Sequence, residues 1–176
     1  ISTPHGEIET PFFMPVGTAG AMKGLTHRDI LDLGAQVLLS NTYHLHLQPG
    51  DETVMRGGGL HEFIDWQKPM LTDSGGFQVY SLRRTNSVTD IGVHFHSHLT
   101  GDKLFMGPAE SMQIQFNLGA DMVMCFDECP PSTAARHDIL KAVDRTLDWA
   151  AQCKKFTEDL RAKTGSAPLL FGIVQG

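Results

Sequence analysis

The sequence predicts an α/β chain that forms part of a (β/α)8 TIM barrel, on three observations: short apolar runs recur, helical patterns separate them, and each run ends in a polar side chain. The runs are Pro15-Val16-Gly17-Thr18, Val37 to Asn41, Met70 to Asp73, Met122 to Asp127, and Leu170 to Gln175. Their apolar residues are consecutive rather than alternating, which suits strands covered on both faces, as in a parallel sheet. Polar residues at the C-terminal ends of parallel strands are where a barrel of this type gathers its chemistry. Five strands cannot close an eight-stranded barrel. The alternative is an open doubly wound sheet, but no G-x-G-x-x-G follows the first run, so the dinucleotide fingerprint of that fold is missing.

Taken in order, the elements between the runs support this reading. Thr26-x-x-Asp29 predicts a capping box, and Ile30, Leu31 and Leu33 carry a short helix to its stop at Gly34. Gly57-Gly58-Gly59 predicts a loop between two short helices. From Ile91 to Met106, Val93, Phe95 and Ser97 alternate with His94, His96 and His98 before a Thr100-Gly101-Asp102 turn, which predicts a β-hairpin inserted after the third strand. Pro108 suits a first helical position, and Met112, Gln115 and Leu118 continue that helix to Gly119. The longest helix is predicted over Ala134 to Lys163. Leu140, Val143, Leu147, Ala150, Cys153, Phe156 and Leu160 form its apolar stripe, and Arg136, Lys141, Asp144, Arg145, Asp148, Lys154 and Glu158 form a solvated face.

Composition bounds the function. With 176 residues, 41% hydrophobic and 19% charged, the chain fits one globular domain able to bury a core. It starts at Ile1 and stops at Gly176 just after an apolar run, and it is read as a fragment. No run of eighteen apolar residues and no signal-peptide pattern is present, so a cytoplasmic location and no membrane partner are expected. The net charge of -6 sets no footprint for a polyanion. Cys125, Cys129 and Cys153 are too few and scattered for a disulfide framework, and free thiols are expected.

Two segments carry chemistry. In Asp73-Ser74-Gly75-Gly76-Phe77-Gln78, an acidic strand end precedes a hydroxyl, two glycines that let backbone N–H groups approach a ligand, and an aromatic face. The same spacing also fits Asp73 as a helix cap ahead of a tight glycine turn. In Phe126-Asp127-Glu128-Cys129-Pro130-Pro131, two carboxylates stand at a strand end framed by prolines. Neighbours on a strand face opposite ways, so Asp127 points inward and Glu128 either supports it or is solvated. A capping acidic pair before the long helix is the other option. Gln175 offers a carbonyl and an amide together. Asp73, Asp127 and Gln175 would jointly complement the Watson–Crick edge of guanine, with Phe77 stacked on the ring. His94, His96 and His98 invite a metal reading, but alternate strand positions spread over about 13 Å, too far to share one ion, so no metal is expected within this chain.

At these residues the chain resembles the tRNA-guanine transglycosylase family, through Met14-Pro15-Val16-Gly17-Thr18, Asn41-Thr42-Tyr43-His44-Leu45, Leu71 to Gln78, Phe95-x-Ser97-His98-x-x-Gly101, Phe126 to Cys129 and Gly172 to Gly176. The resemblance implies that residues 1–176 are the N-terminal portion of a single (β/α)8 catalytic domain, with the first five strands present and the later strands and a zinc region missing. It implies Asp73 as the catalytic acid/base and a base-binding group, Ser74, Gly75, Gly76 and Phe77 as the loop beneath the purine, and Asp127 and Gln175 as base-edge readers. Cys129 looks like the bacterial branch, where it lines the pocket for 7-aminomethyl-7-deazaguanine.

The implied reaction exchanges guanine in tRNA for that base by double displacement through a covalent glycosyl-enzyme. The nucleophilic aspartate and the zinc ligands, three cysteines and a histidine, are expected beyond residue 176. The chain alone is therefore expected to be inactive, and the complete protein to be a homodimer. Pro108-Ala109-Glu110 departs from the family's frequent Pro-Glu-Lys and bears on helix capping. Two rivals remain. A barrel glycoside hydrolase would want aromatic platforms at strand ends, where Trp66 and Trp149 are not predicted. A non-catalytic tRNA-binding subunit of the same family would not need Asp73 and Asp127.

Overall fold

The computed structural model describes residues 1–81 and 87–174. Gln175, a predicted base reader, lies outside the described residues. In chain order the first elements are β1 (Ser2–Thr3), β2 (Gly6–Glu7), α1 (His27–Asp32), β3 (Leu38–Ser40), α2 (Thr42–Leu47), α3 (Asp51–Arg56) and α4 (Leu60–Ile64). Then come β4 (Met70–Thr72), α5 (Gly76–Ser81), β5 (Ser87–Thr89), β6 (Gly92–His96) and β7 (Lys103–Met106). The last are α6 (Pro108–Leu118), β8 (Met122–Met124), α7 (Arg136–Thr164) and β9 (Leu169–Phe171). The chain divides into two compact units, residues 1–73 with 114–123 and residues 74–113 with 124 onward.

The first unit is built on parallel strands. β3 pairs with β4 in the register Leu38↔Met70 to Ser40↔Thr72, and β4 pairs with β8 through Leu71↔Met122 and Thr72↔Val123. All three β4 residues are buried, as the unbroken apolar run requires of a strand covered on both faces. Leu38, Met70 and Val123 are fully buried, each contributing roughly 1.5–3 kcal/mol of transfer free energy. The first predicted strand is reduced to one parallel bridge, Val16↔Leu39. Gly17 N–H donates to Leu39 O and Leu39 N–H to Pro15 O, and Pro15 has no N–H with which to extend the ladder.

Helix α1 has the expected capping box: Asp29 N–H donates to Thr26 Oγ1 at 3.2 Å and Thr26 N–H to Asp29 Oδ2 at 2.7 Å. The three glycines link α3 to α4 as predicted. Asp51, buried at the start of α3, accepts a hydrogen bond from Asn117 Nδ2 at 2.6 Å and lies 2.7 Å from His46 Nδ1. Burial alone would raise its pKa, but the His46 and Asn117 hydrogen bonds and the His46 charge outweigh burial, and the carboxyl titrates below its ordinary value. A lowered folded-state pKa gives stability that is complete above the unfolded-state value and is lost as pH falls through the folded one. Asp51→Asn is therefore expected to be less stable than the parent at about pH 7, with the gap shrinking as the pH drops below about 4. Urea midpoints of both proteins across that range check this, and a pH-independent gap would refute it.

In the second unit, β5, β6 and β7 form a three-stranded antiparallel sheet, paired Val88↔Val93 and His94↔Phe105. The predicted two-stranded hairpin thus carries a third strand ahead of it. Val93, Phe95 and Ser97 are buried while His94 is exposed, so the alternation holds. His98 is exposed and lies past the end of β6 in the turn. Cys125 N–H donates to the carbonyl of Phe171, the last residue of β9, at 2.8 Å.

The face of α7 departs from expectation in its first half. Of the predicted stripe, Cys153 is buried and Ala150, Phe156 and Leu160 are half-buried, whereas Leu140, Val143 and Leu147 are exposed; Ala142, Trp149 and Thr157 complete the buried set. Trp149 decides the face: its fully buried indole packs on Phe126 with ring centroids 5.0 Å apart, and its Nε1–H donates to Asp90 O at 2.7 Å. One large aromatic with a satisfied N–H outweighs several aliphatic positions. Arg145, assigned by pattern to the solvated face, is drawn in with it. Among the described residues, no helix is long and apolar enough to cross a membrane.

Candidate functional site

Asp73 directly follows β4 and belongs to the first unit. The Ser40↔Thr72 pairing sets Asn41 opposite Asp73 at the C-terminal ends of neighbouring parallel strands. Asn41 Nδ2 donates to Asp73 Oδ2, Thr42 N–H donates to Asp73 Oδ1 at 2.8 Å, and the Thr42 hydroxyl donates to the Asp73 carbonyl. Both carboxylate oxygens thus accept bonds from the start of α2, and the side chain is oriented while still half-buried. Asn41 and Thr42 were not identified as partners of Asp73 from the residues alone. The available signal was that both apolar runs end in polar pairs, Ser40-Asn41 and Thr72-Asp73, at matching strand positions.

The second unit gathers Ser74, Gly76 and Asp127. Ser74 and Asp127 are buried at 3% and 6% exposure, so their polar atoms must be paired within the protein. The Ser74 hydroxyl donates to Asp127 Oδ1 at 3.1 Å and accepts the Gly76 N–H at 3.1 Å, while Ser111 Oγ donates to the Ser74 carbonyl at 2.7 Å. Gly75 takes a left-handed φ of 78°, which glycine adopts without steric cost. A Cβ at Gly76 would lie 2.7 Å from both the carbonyl and Oδ1 of Asp127. The glycine pair therefore lets backbone pass against a buried carboxylate. Phe77 is 60% exposed and presents an open aromatic face.

The segment after Asp127 is braced by α7. Glu128 N–H donates to Thr146 Oγ1 at 3.0 Å, and the Glu128 carboxylate pairs with Arg145 Nη1. Arg145 also reaches Asp90 Oδ1 through Nε at 3.1 Å and Nη2 at 2.9 Å. Burial disfavours the guanidinium charge, but the Asp90 and Glu128 carboxylates overcome that and raise its pKa further. Of the alternatives open for Glu128, the ion pair with Arg145 excludes plain solvation. Cys129, with Glu128, Pro130, Leu147 and Ile173, lines a cavity of about 530 Å³. Ile173 and Val174 of that lining immediately precede Gln175.

Each unit thus holds an anchored carboxylate placed after a parallel strand, suited to accepting N–H donors or exchanging a proton. Trp66 and Trp149 are 1% and 0% exposed, with their indole N–H groups bonded to Pro69 O and Asp90 O, so neither offers a platform for a sugar.

The whole chain, residues 1–176, matches the family model described as TGT, queuine tRNA-ribosyltransferase. A queuine tRNA-ribosyltransferase from Shouchella clausii is 51% identical across all of this chain and 45% of its own length. The protein of that name from Clostridium perfringens strain 13 is 52% identical over 99% of this chain and 47% of its own, and that from Halothermothrix orenii is 48% identical over 100% and 46%. The chain spans just under half the length of these relatives. Its leading strands, its two anchored carboxylates and a match along its full extent agree: the chain belongs to the queuine tRNA-ribosyltransferase (TGT) family.

Proposed function

We propose that this chain is the base-binding part of a tRNA-guanine transglycosylase, an enzyme that replaces guanine at the anticodon wobble position of tRNA with 7-aminomethyl-7-deazaguanine on the path to queuosine. The observation that carries the reading is the buried Asp127 carboxylate braced by Ser74 against the Gly75-Gly76 backbone. A desolvated carboxylate favours a ring edge with N–H donors, because a base lacking them leaves the charge unpaired. Its architecture is the leading part of a (β/α)8 barrel carrying the β5–β7 insert.

In the proposed reaction an aspartate beyond Gly176 attacks the ribose anomeric carbon, and the bond to guanine N9 breaks as the base takes a proton. The incoming base then loses its proton and its N9 displaces the carboxylate, restoring the nucleoside, in the manner of a retaining glycosidase. Asp73, held by Asn41 and Thr42, exchanges the proton. Asp127 and Gln175 read the base edge, Phe77 stacks on it, and Cys129 lines the pocket for the incoming base. Glu128 and Arg145 hold Asp127 and Cys129 in place. The first chemical step needs the distant aspartate, so residues 1–176 alone are inactive in this reading.

The family's zinc is held by three cysteines and a histidine. That ion is assigned to residues after Gly176, and no step passes through it. The complete protein acts as a cytoplasmic homodimer on tRNA.

Guanine exchange into tRNA by the full-length protein tests the proposal. Asp127→Ala is expected to raise the KM for guanine ~10-fold or more while tRNA affinity stays within about twofold. A full-length protein that neither binds guanine nor incorporates it would overturn the reading.

A further inference from the structure

The N-terminal ends of β4 and β8, opposite to the ends that carry the strand-terminal polar residues, hold a second cluster. His5 lies in the turn between β1 and β2, His61 on α4, and Asp121 just before β8. His5 Nδ1 is 2.7 Å from Asp121 Oδ1, and His61 Nε2 is 3.1 Å from Asp121 Oδ2. One ligand atom from each residue lies within 4.8 Å of the other two. Asp121 and His61 are 5% and 6% exposed, whereas His5 is open to solvent. The sequence reading, which sought histidines at short spacing, could not see a set drawn from positions 5, 61 and 121.

Two features point to a ligand rather than a closed internal network. His61 Nε2 is buried, and its 3.1 Å contact with Asp121 Oδ2 is an ion pair without an aligned hydrogen bond. A buried imidazole nitrogen without an aligned hydrogen bond carries a desolvation cost that a bound ion would recover. The carboxylate, meanwhile, is already oriented from behind: Met70 N–H donates to Asp121 Oδ2 at 2.9 Å, the kind of outer bond that fixes metal-ligating carboxylates.

We propose that His5, His61 and Asp121 form a binding site for a zinc-class divalent cation, with solvent completing the coordination. Two imidazoles and a carboxylate are a borderline donor set that suits zinc over calcium or magnesium. The His5 and His61 rings stack, with centroids 3.5 Å apart and planes 10° from parallel. An imidazole coordinates in its own plane, so binding requires the His5 ring to turn out of the stack. Its position on an exposed turn between two-residue strands allows this. The ion would staple the β1–β2 hairpin to α4 and to the starts of β4 and β8.

The test uses the tag-free full-length protein and the variants His5→Ala and Asp121→Asn, with zinc content by mass spectrometry and cobalt(II) titration followed by visible absorption. The parent is expected to bind one more equivalent than either variant, to show a cobalt ligand-field band that the variants lack, and to gain a few degrees in Tm with added zinc. His5→Ala removes the solvent-open member and leaves Asp121 its buried Met70 bond, so it keeps the test valid if Asp121→Asn fails to fold. Equal metal content in the parent and His5→Ala, or a cobalt spectrum unchanged by that substitution, overturns the proposal.

Discussion

Asp73→Asn in the full-length protein is expected to lower guanine exchange by roughly 10²- to 10⁴-fold, the range that a positioned general acid/base supplies. The structure adds an expectation that the sequence did not hold. One Asp73 oxygen accepts from the Asn41 amide and the other from the Thr42 N–H. An asparagine offers one acceptor and one donor group, so it keeps both bonds only if the Asn41 amide turns to present its oxygen. Losing the carboxylate's charge-assisted bonds should therefore also cost ~1 kcal/mol, rather than leaving stability untouched. Exchange rates measured beside thermal unfolding separate the two effects. Near-normal exchange in Asp73→Asn would remove Asp73 from proton transfer, whatever happened to Tm.

Gly76→Ala is expected to weaken guanine binding at least ~10-fold and to destabilise the protein by ~1–3 kcal/mol. The added methyl would meet the Asp127 carbonyl and Oδ1 at 2.7 Å. The closest neighbours are backbone and a carboxylate already bonded to Ser74, so relief requires Asp127 itself to shift. Calorimetry with guanine on Gly76→Ala measures the shift at the proposed reading edge. Unchanged affinity in a folded variant would show that the base does not contact Asp127.

What the sequence revealed and what it hid divide along physical lines. The strands at 38–40, 70–72 and 122–124 were legible because each is an uninterrupted apolar run with a polar terminus, whereas of the run from Leu170 to Gln175 only the start is strand, at 169–171. The α1 capping box and the Pro108 helix start were legible because their signals are local. Pro15 to Thr18 had a similar apolar start, but Pro15 has no N–H to extend the ladder, and the run became a single bridge. The stripe on α7 misled because side-chain counting gives Leu140, Val143 and Leu147 the same weight as one tryptophan. In the fold, the volume of Trp149 and the pairing of Arg145 turn the helix. The strand-end carboxylates were readable as candidates. Their anchors were not, since Ser74 and Asp127 are 53 positions apart and only the folded backbone brings them together.

The double pairing of Arg145, together with the Trp149 bond to Asp90 O, ties the β5–β7 insert to the long helix. Excising the insert would strand a guanidinium with one counter-ion and leave an indole N–H without an acceptor. Lysine could replace Arg145 only by abandoning one of its two acids. The insert is thus wired into the scaffold, and a shortened version of this chain would have to rewrite positions 90, 145 and 149 as a set.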